Sequence, residues 1–171
     1  DKVGYELYAK LLQEELTGEE QTVAELDIRA AAYIPDTYIE ASASRLDCYK
    51  QIAEIRGVAD YKRVCLSMEE NYGKVPPEVL NLLVIAVLKA YAAKFNIRKI
   101  AVSAKGGRAE LPSVKSLADP RLCAALDKYS SMVRLEMSRS PAIEFGGGAD
   151  AQKVMLDMTK FFKFAENSAA V

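Results

Sequence analysis

The chain has 171 residues, about one domain's length, and carries 23 basic residues against 24 acidic ones. That balance excludes a mainly electrostatic role on DNA, which calls for a large basic surplus. Half of the residues are hydrophobic, which excludes the disordered and fibrous classes.

Charge is spread unevenly. Residues 1–30 hold eight acids and three bases, whereas residues 97–171 hold twelve bases and eight acids. Neither stretch is dense enough to be a nucleic-acid patch, and solvated, salt-laced faces explain both. Histidine is absent and the three cysteines are widely spaced, which leaves too few ligands for a zinc site. Cys48, Cys65 and Cys123 therefore read as reduced core thiols of a cytoplasmic protein. The longest apolar run, Leu82 to Leu88, stops at Lys89 and is too short for a membrane span. No leader-like segment opens the chain. The start at Asp1, without a methionine, is what a piece of a longer protein would show.

In chain order, Val3, Leu7, Leu11 and Leu12 predict an amphipathic helix over residues 3–16. Glu25 to Ile34 reads as a strand, weakened by its alanines and stopped by Pro35-Asp36. Ser44-Arg45-Leu46-Asp47 fits a helix-opening capping box, and Gly57 ends that element. A second helix is predicted over 59–72, burying Val64, Cys65 and Met68, with Gly73 as its left-handed terminus. Pro76-Pro77-Glu78 opens a third, because early helical amides lack partners and an early acid suits the dipole. Asn96 caps it.

From Ile97 the period changes to two. Ile100, Val102 and Ala104 alternate, Gly106-Gly107 predicts a two-residue hairpin turn, and Arg108 to Leu111 returns. A short helix over 114–125 resets near Asp119-Pro120. Val133, Leu135 and Met137 alternate next, as do Ile143 and Phe145, with Ser140-Pro141 as the turn. The last helix, over 149–166, carries one apolar stripe: Ala151, Val154, Met155, Met158, Phe161, Phe162 and Ala165. The predicted class is α+β, with an N-terminal helical half followed by two short hairpins. These would form a small antiparallel or mixed sheet under a long C-terminal helix.

Catalytic machinery is thin. Gly146-Gly147-Gly148 lies between a strand and a helix, but neither phosphate-loop pattern is present. Asp150 would fill an anion site there with the protein's own charge, so a strand-to-helix turn with an Asp cap is the better account. Lys105 and Arg108 flank the glycine pair as a basic hairpin tip, either solubility residues or a contact with a partner or a phosphate. Asp157 and Lys160 read as routine helix-surface pairing. Glu69-Glu70, just before Asn71-Tyr72-Gly73, is either solvated surface or a docking point.

The blocks VGYELYAKLL, AYIPDTYI, RLDCYKQIAEI and MEENYGKVPPEVLNLLVIAVLKAYAAKFNIRKI resemble, in this order, the C-terminal region of the bacterial transcription-repair coupling factors. The likeness covers residues 3–111; beyond them only the organisation matches. Family sequences carry a pattern close to L-I-D-R-F-G-x-x-P-x-x-V-x-N-L-L. Met68 to Gly73, Pro76 and Asn81-Leu82-Leu83 stand in register with it.

The resemblance implies a non-catalytic interaction module. The family protein is an ATP-dependent DNA translocase, using ATP and magnesium in motor domains whose motifs are lacking here. It displaces stalled RNA polymerase and recruits UvrA. Its C-terminal domain packs on an N-terminal UvrB-like domain and masks the UvrA-binding surface until polymerase is engaged. On this likeness, residues 1–18 are a helix and linker from the motor, and residues 19–171 a single regulatory domain without cofactor or metal of its own. Glu70 falls on the family's acidic position that pairs with basic residues of the masked domain. Asn71 stands where the usual residue is Arg, and Ser67 where some members carry another acid. The second reading is an accessory nucleic-acid module of the same translocase, working through Lys105 and Arg108.

Overall fold

The computed structural model describes residues 23–138 and 140–168. The predicted helix over 3–16 and the division at residue 18 lie outside them. The chain forms two compact units. The first includes residues 30–90; the second combines residues 22–29 with residues 91–171.

The first unit is helical. Helix α1 spans Ser42–Ala53, α2 spans Val58–Tyr72, and α3 spans Pro77–Lys94, the last four residues of α3 counting with the second unit. Helix α1 begins two residues before the predicted capping box; its N-cap is Ala41, with no side-chain cap. Gly57 is not its end but the N-cap of α2. That helix stops as predicted at Gly73, whose φ of 88° is a conformation that glycine adopts without strain. Pro77 opens α3, and Asn96 follows with a φ of 56°. Val79 and Leu82 to Leu88 are all buried, as expected of a helix apolar on every side. Asn81, buried among them, donates from its Nδ2 to the Ala31 carbonyl oxygen at 2.8 Å. That bond satisfies a polar group that would otherwise be costly to bury.

The second unit is a five-stranded sheet with helices on it. The strands are β1 (Glu25–Ile28), β2 (Lys99–Ser103), β3 (Gly106–Glu110), β4 (Val133–Glu136) and β5 (Ala142–Gly146), in the order β1-β2-β3-β5-β4. Two hairpins were predicted, and both β2–β3 and β4–β5 form. The predicted Glu25–Ile34 strand is cut to β1, and it adds a fifth strand by pairing parallel to β2. The sheet is therefore mixed. Helix α4 (Pro120–Lys128) follows a short 3-10 turn at Val114–Ala118, with the break where Asp119-Pro120 predicts it.

Helix α5 (Ala151–Ser168) buries all seven stripe residues. The alternation of β2 and β3 points Ile100, Val102 and Ala109 into the core, joined by Ile143 and Phe145 of β5. Phe161 and Phe162 meet edge-on at 5.2 Å, and Phe145 lies edge-on to Phe161 at 5.3 Å. Such pairings add to the area term.

The expected Gly106-Gly107 turn does not form. The β2–β3 turn is Ala104-Lys105, since Ser103 pairs with Gly106 and both glycines belong to β3. Gly107 is required by close packing instead. A Cβ on it would come 2.6 Å from Met158 Sδ and 3.1 Å from Val154 Cγ1 of α5. Glycine lets the helix lie close against the sheet. Asp157 of α5 and two of the thiols also depart from expectation. Lys153, not Lys160, pairs with Asp157 at 2.8 Å, one turn apart. Cys48 is buried as predicted, but Cys65 is half-buried and Cys123 is exposed, its Sγ reaching the Leu117 carbonyl oxygen at 3.1 Å.

Candidate interaction site at the end of helix α2

The last turn of α2 carries Glu69, Glu70, Asn71 and Tyr72, all exposed. Its start is well fixed. Asp60 in the first turn accepts from the Arg56 amide at 2.9 Å and from Arg63 Nη2 at 3.2 Å. The Arg56 amide, then Arg63, hold its carboxyl below the usual carboxylate range. The end is different in character: the last turn contains no basic residue, and two acids face the negative pole of the helix dipole. Among the described residues no ion pair holds Glu69 or Glu70. Helix stability is therefore no reason for acids at this place.

A tyrosine from the segment before α1 holds the helix end. Tyr38 Oη lies 2.9 Å from the Gly73 carbonyl oxygen and 3.3 Å from that of Met68, so its one proton ties the end of α2 to the segment before α1. Its ring meets Tyr72 edge-on at 6.0 Å. Burial raises the Tyr38 phenol pKa, and Cys48, Cys65 and Glu69 add to it, so the hydroxyl stays a donor. The segment itself is shaped by Pro35, whose carbonyl accepts from the Tyr38 and Ile39 amides. Tyr49 of α1 secures its start, with Oη accepting from the Ile34 amide at 2.9 Å.

Beside this end lies a cleft of about 140 Å³, lined by Ser44, Asp47, Cys48 and Gln51 of α1 and by Ser67, Met68, Asn71 and Tyr72 of α2. Ser67 and Asn71, one turn apart, thus share the cleft, while Glu70 stands outside its lining on the exposed surface. Asn71 Nδ2 donates to the Ser67 carbonyl oxygen at 2.8 Å, which turns the amide back along its own helix. Cys48 is no nucleophile in this setting. Burial and then Asp47 raise its pKa, against a lowering hydrogen bond from Tyr72, and the thiol stays protonated.

The two bases of the β2–β3 hairpin are not equivalent. Lys105 sits exposed in the turn, its amide donating to Ser103 Oγ at 3.1 Å. Arg108 is half-buried and lies 3.6 Å from both Glu110 and Glu144, with Nη2 donating to the Ser140 carbonyl oxygen at 3.2 Å. Asp150 caps α5, accepting from the Lys153 amide at 2.9 Å, so the triple-glycine turn presents a carboxylate where a phosphate would sit. Among the described residues no group of Cys, Asp and Glu side chains has a metal-holding arrangement. No described helix is long and apolar enough to cross a membrane.

Sequence reasoning missed Tyr38, Asp47 and Tyr72 as parts of this site. The signal for Tyr38 is a tyrosine next to a proline turn and for Tyr72 one beside a helix-ending glycine, whereas Asp47 reads only as the acid of the expected capping box.

Comparison with known proteins bears on the fold and the family. A solved structure described as the C-terminal domain of transcription-repair coupling factor superposes with a TM-score of 0.68, covering 88% of this chain and 99% of that one. At 20% identity that likeness shows the fold alone. Transcription-repair-coupling factor of Bacillus subtilis is 32% identical over 107 residues, 58% of this chain and 9% of the relative. The Escherichia coli protein of the same name is 27% identical over 150 residues, 80% of this chain and 13% of the relative. The chain thus spans about a tenth of the length of these relatives. The TRCF domain model matches residues 28–122, more than half of the chain, taking in the whole of α1, α2 and α3 together with the β2–β3 hairpin. The chain belongs to the TRCF domain family.

Proposed function

We propose that this chain is a non-catalytic masking module of a transcription-repair coupling factor, docking through the end of α2 onto a UvrB-like module and covering its UvrA-binding surface. The observation that carries this reading is the exposed acidic pair at a helix end where the dipole opposes it. Acids that weaken their own helix make sense when a basic partner surface compensates them. Glu70 is then the principal contact, and Ser67 and Asn71 line the adjoining cleft. Engagement of RNA polymerase elsewhere on the protein would release the mask. DNA would be handled by ATP-driven motor domains outside this chain, and residues 1–18 would lead from them.

The chemistry fits a reversible clamp. A mask must let go, which favours a modest polar interface over an obligate apolar one. Docking worth only a few kcal/mol can be shifted by binding elsewhere. The test is to titrate this chain against the UvrB-like module of a coupling factor from the same source, with and without UvrA. The expected result is saturable, salt-sensitive binding that UvrA competes away. Glu70→Lys should weaken it about tenfold, through lost attraction and new repulsion. Unchanged affinity in that variant would refute Glu70 as the contact, and absence of competition would refute masking.

A further inference from the structure

The sheet of the second unit has a second face, away from the buried strand residues. Strand register aligns Asp27, Ala101, Arg108, Glu144 and Arg134 in one row across all five strands. The next row sets Ser103, Gly106 and Gly146 side by side. These small residues leave a trough of about 660 Å³, whose lining includes Arg29, Lys105, Arg108 and Arg134 against the acids Asp27 and Glu144. Glu144 is shared: one carboxylate oxygen lies 2.9 Å from Arg134 Nη2 and the other 3.6 Å from Arg108 Nη1. Arg29 pairs with Asp27 at 3.2 Å, yet its side chain is 75% exposed, and that of Arg134 is 79% exposed. Lys105 makes no ion pair among the described residues. The trough therefore holds more cationic groups than its own carboxylates can satisfy.

We propose that this trough is a docking surface for an extended, acidic protein segment. An extended chain laid on the low floor would place carboxylates against Arg29 and Arg134, whose guanidinium groups stay exposed despite their internal pairs, and against Lys105, which has no ion pair among the described residues. Nucleic acid fits less well. A regular phosphate backbone would be carried past Asp27 and Glu144 within the trough and past Glu110 beside it, whereas separate carboxylates on a peptide can be spaced to miss them. This surface is made by the second unit and does not depend on the role given to α2.

The experiment measures fluorescence anisotropy of the whole chain with a labelled Glu-Ser repeat peptide of about ten residues, and with a duplex DNA at the same ionic strength. The expected result is saturable peptide binding, weakened about tenfold in the Arg29→Glu, Arg134→Glu double variant, whose side chains are too exposed to carry the fold. Glu144→Gln should bind several-fold tighter, because it releases two arginines at once. Lys62→Glu with Arg63→Glu on α2 should leave peptide binding unchanged. Failure of the peptide to bind, equal affinity in the Arg29/Arg134 variant, or tighter duplex binding lost in that same variant would each overturn the proposal. The last would make the trough a nucleic-acid surface.

Discussion

Helices α2 and α5 are both amphipathic and close in length, yet their side chains are used differently. Of its 18 residues α5 buries seven, and it is capped by Asp150 and braced on its outer face by Lys153 and Asp157. Helix α2 has 15 residues, of which only Val64 and Met68 are fully buried; it lacks a side-chain N-cap and ends in two acids. In α5 the apolar stripe, the Asp150 cap and the Lys153–Asp157 pair serve stability. In α2 most of the surface is exposed, and its end is held by Tyr38 from outside the helix. An exposed helix end that carries uncompensated acids and is propped by a neighbour is what the proposed docking role calls for.

That contrast can be broken by substitution, and the largest effect belongs to α5. Phe161 is fully buried and touches the rings of Tyr129, Phe145 and Phe162. Phe161→Ala should cost roughly 3–5 kcal/mol in urea unfolding, with lost transfer energy and a residual cavity both contributing. Next comes Gly107→Ala, where the new methyl must displace Met158 and Val154. A loss of about 1–3 kcal/mol is expected from that overpacking, and a neutral result would show that α5 can shift away from the sheet.

Asp119 sets a smaller, pH-dependent scale. It caps α4 through the Arg121 amide at 2.9 Å and grips the Arg121 guanidinium, which lies over the Phe95 ring at 4.4 Å. Arg121 holds the Asp119 carboxyl below its ordinary range. A depressed carboxylate contributes stability that is fully present above its unfolded value, near pH 3.9, and is lost as pH falls through the folded value. Asp119→Ala should cost about 1 kcal/mol at neutral pH, and Asp119→Asn should keep the cap while flattening the acid limb of a stability–pH curve. The smallest effect has the opposite sign. Glu70→Gln should stabilise the chain by about 0.3–0.5 kcal/mol in thermal unfolding, because it removes a charge from the wrong end of the dipole. A loss of stability would mean that α2 does use its acid internally.

Much of the architecture was legible because local and tertiary demands coincide. The stripe of α5 repeats at the helical period and is buried without exception, and Pro77 and Gly73 bound their helices for backbone reasons that operate anywhere. The hairpin turn was misplaced because a glycine pair is the strongest local turn signal, whereas here both glycines belong to β3 and packing against Met158 requires Gly107. The parallel pairing of β1 was invisible, since ELDI alternates weakly and its partner lies far along the chain. At the candidate site Glu70 stood out as one of an acidic pair before a helix-ending glycine, and Ser67 and Asn71 stood out only through the family resemblance. Tyr38 did not, because its hydroxyl acts across 35 residues on a carbonyl that carries no side-chain signature.

The pairing of β1 with β2 also shapes how the molecule is assembled. Glu25 sits opposite Lys99, 74 positions later, and the helical unit lies between them in the chain. Closing so long a loop is entropically expensive until the intervening residues have condensed, so the edge strand should join last and open first. Fragments trimmed to begin at Ala30 would strip the sheet of that edge and leave Ile100 and Val102 beside unpaired ladder groups, a template for sticking to another molecule.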